Sequence, residues 1–395
     1  MNILKEHKEE RIIEVPKNVE KKREAIWDIV KGIGIISIVI GHTSPSATIN
    51  KFVYMYHLAI FYFVAAYFFY EKKYGDHPFA NVGQRIKGVW TKYVFYGSIL
   101  ILLRNLFIKY NFYSQAMPKI ENFDQLIVPI LNTMTFNCGE LFSGALWFVP
   151  TLLLSTGLFG GIIYIARKCV NYICTRLKIQ NETLQKYIKY IIILVLTVLY
   201  AILGIYLNTN KLFLEYHIHT VFLVVPICVM GYFCREYIEK IKSVKKLNIA
   251  IPTLILTASF LLYIIIEKQM QIELSKEMII NGHMFYIVSF VGICFCLSLG
   301  SIIERIPLLN KVVELCGKHS FSIMALHFAC VKGVDVIYSR IINETNPEII
   351  SKWVTSYPEK LWIIYVIVGC IIPLIFSIII EQIKKYRENC IKLDI

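Results

Sequence analysis

Charged residues are scarce in this chain of 395 residues: they make up 18% of it, whereas hydrophobic residues make up 56%. A soluble protein of this length would divide into two or three domains, each with a polar surface. Here apolar runs follow one another nearly from end to end, and many reach the roughly 20 residues needed to cross a bilayer. This composition excludes a soluble enzyme, a nucleic-acid-binding domain and a disordered tail protein. It predicts a polytopic helical membrane protein.

No disulfide framework is visible among the eleven cysteines. Most of them, such as Cys228 and Cys370, lie inside apolar runs, where cysteine behaves as a small hydrophobic residue. Cys138 alone falls in a segment predicted on the outer side of the membrane, and the spacing of the others is not that of metal ligands. We therefore expect neither a redox role nor a metal site.

The sequence shows no internal repeat, and we expect no second, soluble domain. The first 24 residues are charged and polar, so we expect no cleavable signal peptide. Residues 111–143 form a longer outer connection, and we expect its moderately apolar stretch, Phe123 to Phe136, at the membrane surface. The pattern predicts an all-α fold with about ten transmembrane helices, near residues 27–49, 52–70, 89–110, 144–165, 190–207, 216–233, 248–266, 284–303, 319–337 and 361–380.

The net charge of +14 comes from basic clusters between the apolar runs. With a cytoplasmic N-terminus, the inner connections and tails hold about three times as many Lys and Arg residues as the outer loops, which is the bias of membrane proteins. Both termini are therefore predicted to be cytoplasmic. The predicted organisation is a basic tail over residues 1–24, a transmembrane domain over residues 25–382 and a second tail over residues 383–395.

The first predicted span carries three ionisable residues on one helical face: Asp28, Lys31 and His42. Eleven residues separate Lys31 from His42, close to three helical turns, so the two side chains lie about 16 Å apart along the axis. Ionisable groups inside a bilayer cost several kcal/mol and call for a role. Asp28 and Lys31 are either an i,i+3 pair near the interface or part of a site, and His42 is either a packed core residue or a catalytic group. Gly32 indicates a close approach of a helix or a ligand.

Further polar positions recur in the other spans. His57 lies in the second span at about the depth of His42, so the two histidines either share a cavity or serve separate structural roles. Arg85 and Lys87 on the cytoplasmic side either follow the positive-inside bias or contact a donor phosphate. Trp147 opens the fourth span from outside.

The ninth span carries His327, followed by Lys332 and Asp335, which are spaced to neutralise each other. Pro150, inside the fourth span, predicts a kink. Arg104 lies deep in the third span without an evident partner.

In this order the motifs resemble the acyltransferase 3 family of integral-membrane O-acyltransferases over residues 23–380. Some positions depart from the family pattern: Ala59 and Ala65-Ala66 replace Pro and Ser-Gly, and Lys92-Tyr93 replaces Pro-Tyr. The motifs that carry the resemblance are Asp28-x-x-Lys31-Gly32 with Gly41-His42, Tyr56-His57-Leu58 through Phe63, Gln84-Arg85-Ile86-Lys87, Leu146-Trp147-Phe148-Val149-Pro150, Val225-Pro226 through Phe233, and Gly317-Lys318-His319-Ser320 through His327.

The resemblance implies transfer of a short acyl group, commonly acetyl from acetyl-CoA, to a hydroxyl of an extracytoplasmic or lipid-linked sugar in the plasma membrane of a bacterium. It implies contact with membrane lipid, acyl-CoA and a glycan, and neither metal nor nucleic acid; the oligomeric state stays open. His42 is then the expected general base, or a nucleophile, because an imidazole titrates near neutral pH. Lys31 is expected to contact the donor, and Asp28 to orient Lys31.

The remaining candidate residues divide into two groups under the same resemblance. His57, Trp147 and His327 are expected to bind the acceptor, and Arg85 and Lys87 the phosphates of the donor. The principal alternative is a transporter or flippase for a glycan or lipid-linked intermediate, although neither paired broken helices nor repeats are visible. A second alternative is an inactive scaffold.

Overall fold

The computed structural model describes residues 24–243, 249–266, 271–274, 278–280 and 284–393. Nearly all of the predicted N-terminal tail, residues 1–23, and residues 394–395 of the C-terminal tail lie outside the described residues. Two three-residue strands, β1 (Gln271–Glu273) and β2 (Met278–Ile280), pair antiparallel. The α-helices are α1 (Ala25–Thr43), α2 (Ala47–Tyr54), α3 (Ala59–Tyr67), α4 (Glu71–Tyr74), α5 (Pro78–Leu102), α6 (Arg104–Lys109), α7 (Phe123–Met134), α8 (Phe148–Leu177), α9 (Glu182–Thr209), α10 (Ile218–Ser243), α11 (Ala250–Ile266), α12 (Phe285–Ile303), α13 (Leu309–Lys318), α14 (Ser320–Ile341), α15 (Pro347–Ile350) and α16 (Pro358–Leu393).

Eight helices or joined helix pairs in the described part of the chain are long and apolar enough to cross a membrane. The prediction of a polytopic all-α membrane protein is therefore confirmed. The predicted span at 248–266 falls on α11, which is shorter, and the one at 89–110 falls on α5 and α6. The total of ten spans and the cytoplasmic location of both termini stay predictions. The eight are Ala25–Thr43, Ala47–Tyr67, Leu141–Leu177, Glu182–Thr209, Glu215–Glu239, Phe285–Ile303, Ser320–Ile341 and Pro358–Cys390.

The apolar stretch after the third span forms α7, and its place at the membrane surface stays a prediction. Helix α7 packs back along α5, where the Trp90 indole N–H donates to the carbonyl of Met134 over 2.9 Å. Gly97 makes this approach possible, because a Cβ at that position would lie 2.6 Å from the Thr133 side chain. The stretch therefore packs against α5 at Thr133, which is the buried residue of α7.

Helix α1 lies among α2, α12, α13, α14 and α16, and its closest neighbour is α13. A Cβ on Gly32 would lie 2.0 Å from the carbonyl oxygen of Val313, and one on Gly317 would lie 1.7 Å from that of Asp28. Each helix thus has a glycine that faces the backbone of the other helix, and the two glycines set the spacing of α1 and α13. The close approach predicted at Gly32 is to a helix.

Two buried ion pairs tie the helices to their connections. Lys332 and Asp335 form the predicted i,i+3 pair, with Nζ and Oδ2 2.7 Å apart. Arg104, for which the sequence offered no partner, donates two hydrogen bonds to Glu140, at 2.6 and 2.9 Å. The kink predicted at Pro150 is wrong: α8 begins at Phe148, so Pro150 sits in the first turn, where its missing N–H costs no helical hydrogen bond.

Candidate functional site

A cavity of about 30 Å³ lies where the end of α1 meets the turn before α3, the start of α8 and α14. His42 reaches it from the last turn of α1, His57 from the turn between α2 and α3, and Trp147 from the position before α8. The structure therefore brings three of the predicted site residues to one place. Tyr54 and Met324, which the sequence did not single out, also line the cavity.

The position of His57 follows from the way the chain turns after α1. A Cβ on Gly41 would lie 2.8 Å from the Tyr54 ring, so the glycine admits the tyrosine, whose hydroxyl donates to the Gly41 carbonyl over 3.1 Å. This contact holds α2 against the end of α1. The His57 Nδ1–H donates to the Val53 carbonyl over 2.9 Å, which leaves Nε2 of the neutral ring as the basic nitrogen.

His327 lies behind His42 as seen from the cavity. The two rings are stacked, with centroids 5.5 Å apart and planes inclined by 26°. His327 is completely buried, and its Nδ1–H donates to the carbonyls of Ile323 and Met324. Its Nε2 has no hydrogen-bond partner among the described residues. His327 therefore supports His42, and Met324 is the residue of α14 that reaches the cavity.

Asp28 and Lys31 lie at the other end of α1, about 21 Å and about 16 Å along the axis from His42, respectively. They form a salt bridge with Nζ and Oδ1 2.6 Å apart, in which the Asp28 side chain is 1% exposed and that of Lys31 is 23% exposed. Gly317 of α13 packs over the Asp28 backbone. The pair is thus an intact ion pair near the N-terminal end of the site helix, and it does not line the cavity.

Arg85 and Lys87 lie on the first half of α5, and neither lines the cavity. The Arg85 guanidinium donates to the Ala65 carbonyl over 2.7 Å and to the Asn81 side chain over 3.1 Å. Its pKa is lowered by burial. Lys87 is exposed on the same helix. Arg85 therefore holds α3 against α5, whereas Lys87 is open to a ligand.

A second cavity of about 450 Å³ adjoins the first, and Trp147 forms a wall of both. Glu215 and His217, from the turn before α10, line this larger space, and the His217 ring lies 4.9 Å from the indole of Trp147. Sequence reasoning missed this space. The available signal was the polar triplet Glu215-Tyr216-His217 at the start of an apolar run.

A cluster of charges at Glu71, between α3 and α5, was also missed. The Glu71 carboxylate accepts hydrogen bonds from Lys189 at 3.0 Å, from Arg167 at 3.3 Å and from the Tyr232 hydroxyl. Burial opposes its charge, but these donors together hold the pKa of Glu71 below its ordinary value. The cluster joins α4, which begins at Glu71, to α8, α9 and α10.

In the described residues, no group of three or more His, Cys, Asp or Glu side chains could hold a metal ion. His42, His57 and His327 differ in their surroundings: the first two line the cavity and the third is enclosed. The arrangement is one of basic imidazoles beside an indole wall. Such a site is suited to moving a proton to or from a hydroxyl group.

One family model covers nearly the whole chain: the acyltransferase 3 model, described as an acyltransferase domain, matches residues 24–382. No curated protein and no solved structure matches the chain. With eight apolar helices, the match identifies a multi-pass membrane protein that is an acyltransferase, and it favours acyl transfer over transport of a glycan or a scaffold role. The chain belongs to the acyltransferase 3 family.

Proposed function

We propose that this membrane acyltransferase moves an acetyl group from acetyl-CoA to a hydroxyl of an extracytoplasmic or lipid-linked sugar, with His42 as the general base. The observation that carries the proposal is the meeting of His42, His57 and Trp147 at one cavity, with His327 stacked behind His42. The plasma membrane of a bacterium is the proposed location. An acceptor outside and a donor inside require such a centre between the helices.

His42 suits the base because a neutral imidazole, with an ordinary pKa of about 6.5, accepts a proton at neutral pH. The acceptor oxygen attacks the thioester carbonyl as its proton passes to His42. The carbon–sulfur bond then breaks, and the proton ends on the thiol of coenzyme A. The step forms an ester, and it needs no metal and no oxidant.

His57 and Trp147 are the proposed acceptor contacts. The fixed tautomer of His57 offers Nε2 as a polar contact in the same cavity, where it orients the reacting hydroxyl toward His42. The flat face of the Trp147 indole packs against the apolar face of a sugar ring. His327 acts through His42, because it is buried behind the His42 ring.

The donor is proposed to bind from the cytoplasmic side. Lys31, which keeps part of its side chain exposed, and Lys87 are the proposed contacts for its phosphates, and Asp28 orients Lys31. Arg85, whose guanidinium also bonds Ala65 and Asn81, is the third proposed contact for these phosphates. The long arm of coenzyme A separates thioester from phosphates, so these cations need not adjoin the histidines.

The test is release of coenzyme A from acetyl-CoA by the purified protein in lipid discs, with an extract of membrane glycolipids as acceptor. We expect turnover in the wild type, and a loss of about 10²–10⁴-fold in His42→Ala, as for removal of a general base. His77→Ala is the matched control, because His77 is exposed in the loop before α5, away from the cavity. It should keep wild-type turnover.

Two results would count against the proposal. Turnover that survives in His42→Ala would remove His42 from the chemistry. Acetyl-CoA left intact by wild-type protein at every acceptor fraction would remove acetyl-CoA as the donor. Recovery of each variant from detergent in the same monodisperse peak separates lost chemistry from lost folding.

A further inference from the structure

We propose that the 450 Å³ cavity is the acceptor site, and that Glu215 makes it selective for sugar units without a negative charge. This inference rests on the proposed function and deepens it, because it names the class of sugar. It starts from the two cavities that share Trp147.

The two cavities differ in size, so each can hold a different part of the acceptor. The one at His42, about 30 Å³, has room for about one water molecule, and therefore for a hydroxyl group but not for a sugar ring. The neighbouring one falls within the roughly 300–1,000 Å³ of small-molecule sites. The ring of the acceptor thus lies in the larger space, with its reacting hydroxyl directed past the edge of Trp147 toward His42.

The lining of the larger cavity has the chemistry that a sugar ring needs. Trp147, Tyr93 and Tyr216 offer aromatic surface, while Asn137 and Glu215 offer groups that bond hydroxyls. Binding sites for small molecules combine mainly apolar and aromatic walls with a few polar groups that fix orientation. A saccharide has an apolar ring face and hydroxyls at its edge, so it matches both parts.

The backbone around this space is held in an unusual conformation. Phe136, Tyr216 and His217 have φ angles of 64°, 54° and 54°, in the left-handed region that non-glycine residues rarely adopt. Three residues in that region at one cavity fit the tendency of backbone strain to concentrate at ligand sites. The Tyr93 hydroxyl secures the segment, since it donates to the Phe136 carbonyl over 2.9 Å and accepts from the Cys138 N–H.

Glu215 sets the charge of the cavity. Its side chain is exposed there, and the described lining residues include neither Lys nor Arg. The nearby carboxylate of Glu140 is already paired with Arg104 at 2.6 Å. A sugar acid would bring a second carboxylate beside Glu215, where the described lining has neither Lys nor Arg to balance it, and like charges brought together this way disfavour binding. A neutral or amino sugar meets no such penalty.

The test measures binding of two probes, hexyl β-glucoside and hexyl β-glucuronide, by calorimetry on the full-length protein in phosphatidylcholine discs. These uncharged discs keep a surface potential from imitating the effect. We expect the wild type to bind the glucoside at least about tenfold more tightly. Glu215→Gln should bring the two affinities to within about threefold, and Glu215→Lys should reverse the preference.

The matched control is Glu359→Gln, which makes the same change of charge at an exposed position at the start of α16, outside the cavity. It should keep the wild-type ratio. Any of four results would overturn the proposal. The wild type could bind the two probes equally, prefer the glucuronide or show no saturable binding of either, or the ratio of affinities could stay the same when Glu215 is substituted.

Turnover of acetyl-CoA on the same samples separates this inference from the proposed function. Charge-selective binding without acetyl transfer would leave the site in place and refute the reaction. Acetyl transfer together with binding that ignores Glu215 would keep the reaction and refute this assignment.

Discussion

His42 and His327 stack face to face, with their ring centroids 5.5 Å apart, although 285 positions of chain separate α1 from this part of α14. Helix α14 presents His327 with Nδ1 tied to its own backbone at Ile323 and Met324, so this ring is fixed before it meets His42. Because the contact joins ring faces, it is the shape of the His327 side chain that supports His42.

The first prediction follows from this stacking. His327→Ala should lower kcat by about tenfold, because His42 loses its support, and leave KM for acetyl-CoA within about twofold. His327→Phe, which retains a flat ring, should recover most of the lost kcat. The measurement is steady-state release of coenzyme A for the three proteins.

A purely structural role would instead reduce the yield of folded protein and spare the kcat of what remains. A phenylalanine variant as slow as the alanine variant would contradict the stacking argument, because it would assign the effect to Nε2. The pH dependence of kcat in His327→Phe should match that of the wild type, since the proposed base, His42, is the same in both proteins.

The chemistry of α1 was predictable from the sequence because it depends on local geometry. A helix turns by a fixed angle per residue, so the spacing of Asp28, Lys31 and His42 settles which side chains share a face. The i,i+3 pair of Lys332 and Asp335 follows from the same rule, and it is present. The meeting of His42 with His57 needed only the further assumption of equal depth, and the two line one cavity.

What the sequence left hidden depends on contacts between distant segments. Arg104 meets Glu140 only because the intervening chain folds back along α5, and no periodicity encodes that return. The larger cavity needs the turn at Glu215 to close against Trp147, 68 positions earlier. Long-range contacts of this kind depend on how the helices pack. A pattern in a single sequence therefore predicts where the helices begin and end, but not the cavities between them.

The second prediction concerns the close approach of α1 and α13. Gly317→Ala would set a Cβ 1.7 Å from the Asp28 carbonyl oxygen, so the helices must separate. We expect a loss of stability of about 1–3 kcal/mol, the usual cost of overpacking, seen as a lower thermal unfolding temperature in detergent.

Gly161→Ala in α8 is the matched control, since nothing lies within 4 Å of a Cβ at that position. It should leave stability unchanged or raise it by about 0.5–1 kcal/mol, because alanine favours a helix over glycine. Equal effects of the two substitutions would show that the α1–α13 contact tolerates an added methyl group.

The third prediction concerns the buried pair of Lys332 and Asp335. The Lys332 ammonium also donates to the Ile350 carbonyl over 3.2 Å, and Asp335 accepts from the backbone N–H of Ser356 over 2.9 Å. Asp335→Asn leaves a buried positive charge unbalanced, and we expect it to cost about 3–5 kcal/mol. The measurement is thermal unfolding in detergent.

The double variant Lys332→Met with Asp335→Asn is the informative comparison. It removes both charges, so it should be more stable than Asp335→Asn alone. Additive losses from the two single changes would mean that the two side chains contribute independently, contrary to the 2.7 Å contact between them.

The fourth prediction is a pH dependence of stability at Glu71. Because Lys189, Tyr232 and Arg167 hold the pKa of Glu71 below its ordinary value of 4.5, the folded protein favours the ionised carboxylate. The stabilisation is complete above the pKa of the unfolded chain and is lost as the pH falls through the lower pKa of the folded state. Glu71→Gln should therefore lower the unfolding temperature at pH 7, by about 2 °C after allowance for solvent screening, and have little effect in acid below the folded pKa.

Unfolding temperatures of wild type and Glu71→Gln, followed from pH 7 down to about pH 3, test this sign. The curves should converge only on the acid side, since protonation of Glu71 removes the same charge that the substitution removes. Glu388→Gln, at an exposed carboxylate near the end of α16, supplies the matched loss of one negative charge and should show no such convergence. The unfolding temperature of Glu71→Gln could instead stay below that of the wild type by the same amount in acid. That result would mean that Glu71 stabilises α4 by packing, and that its ion pairs with α8 and α9 contribute nothing to the stability of the folded state.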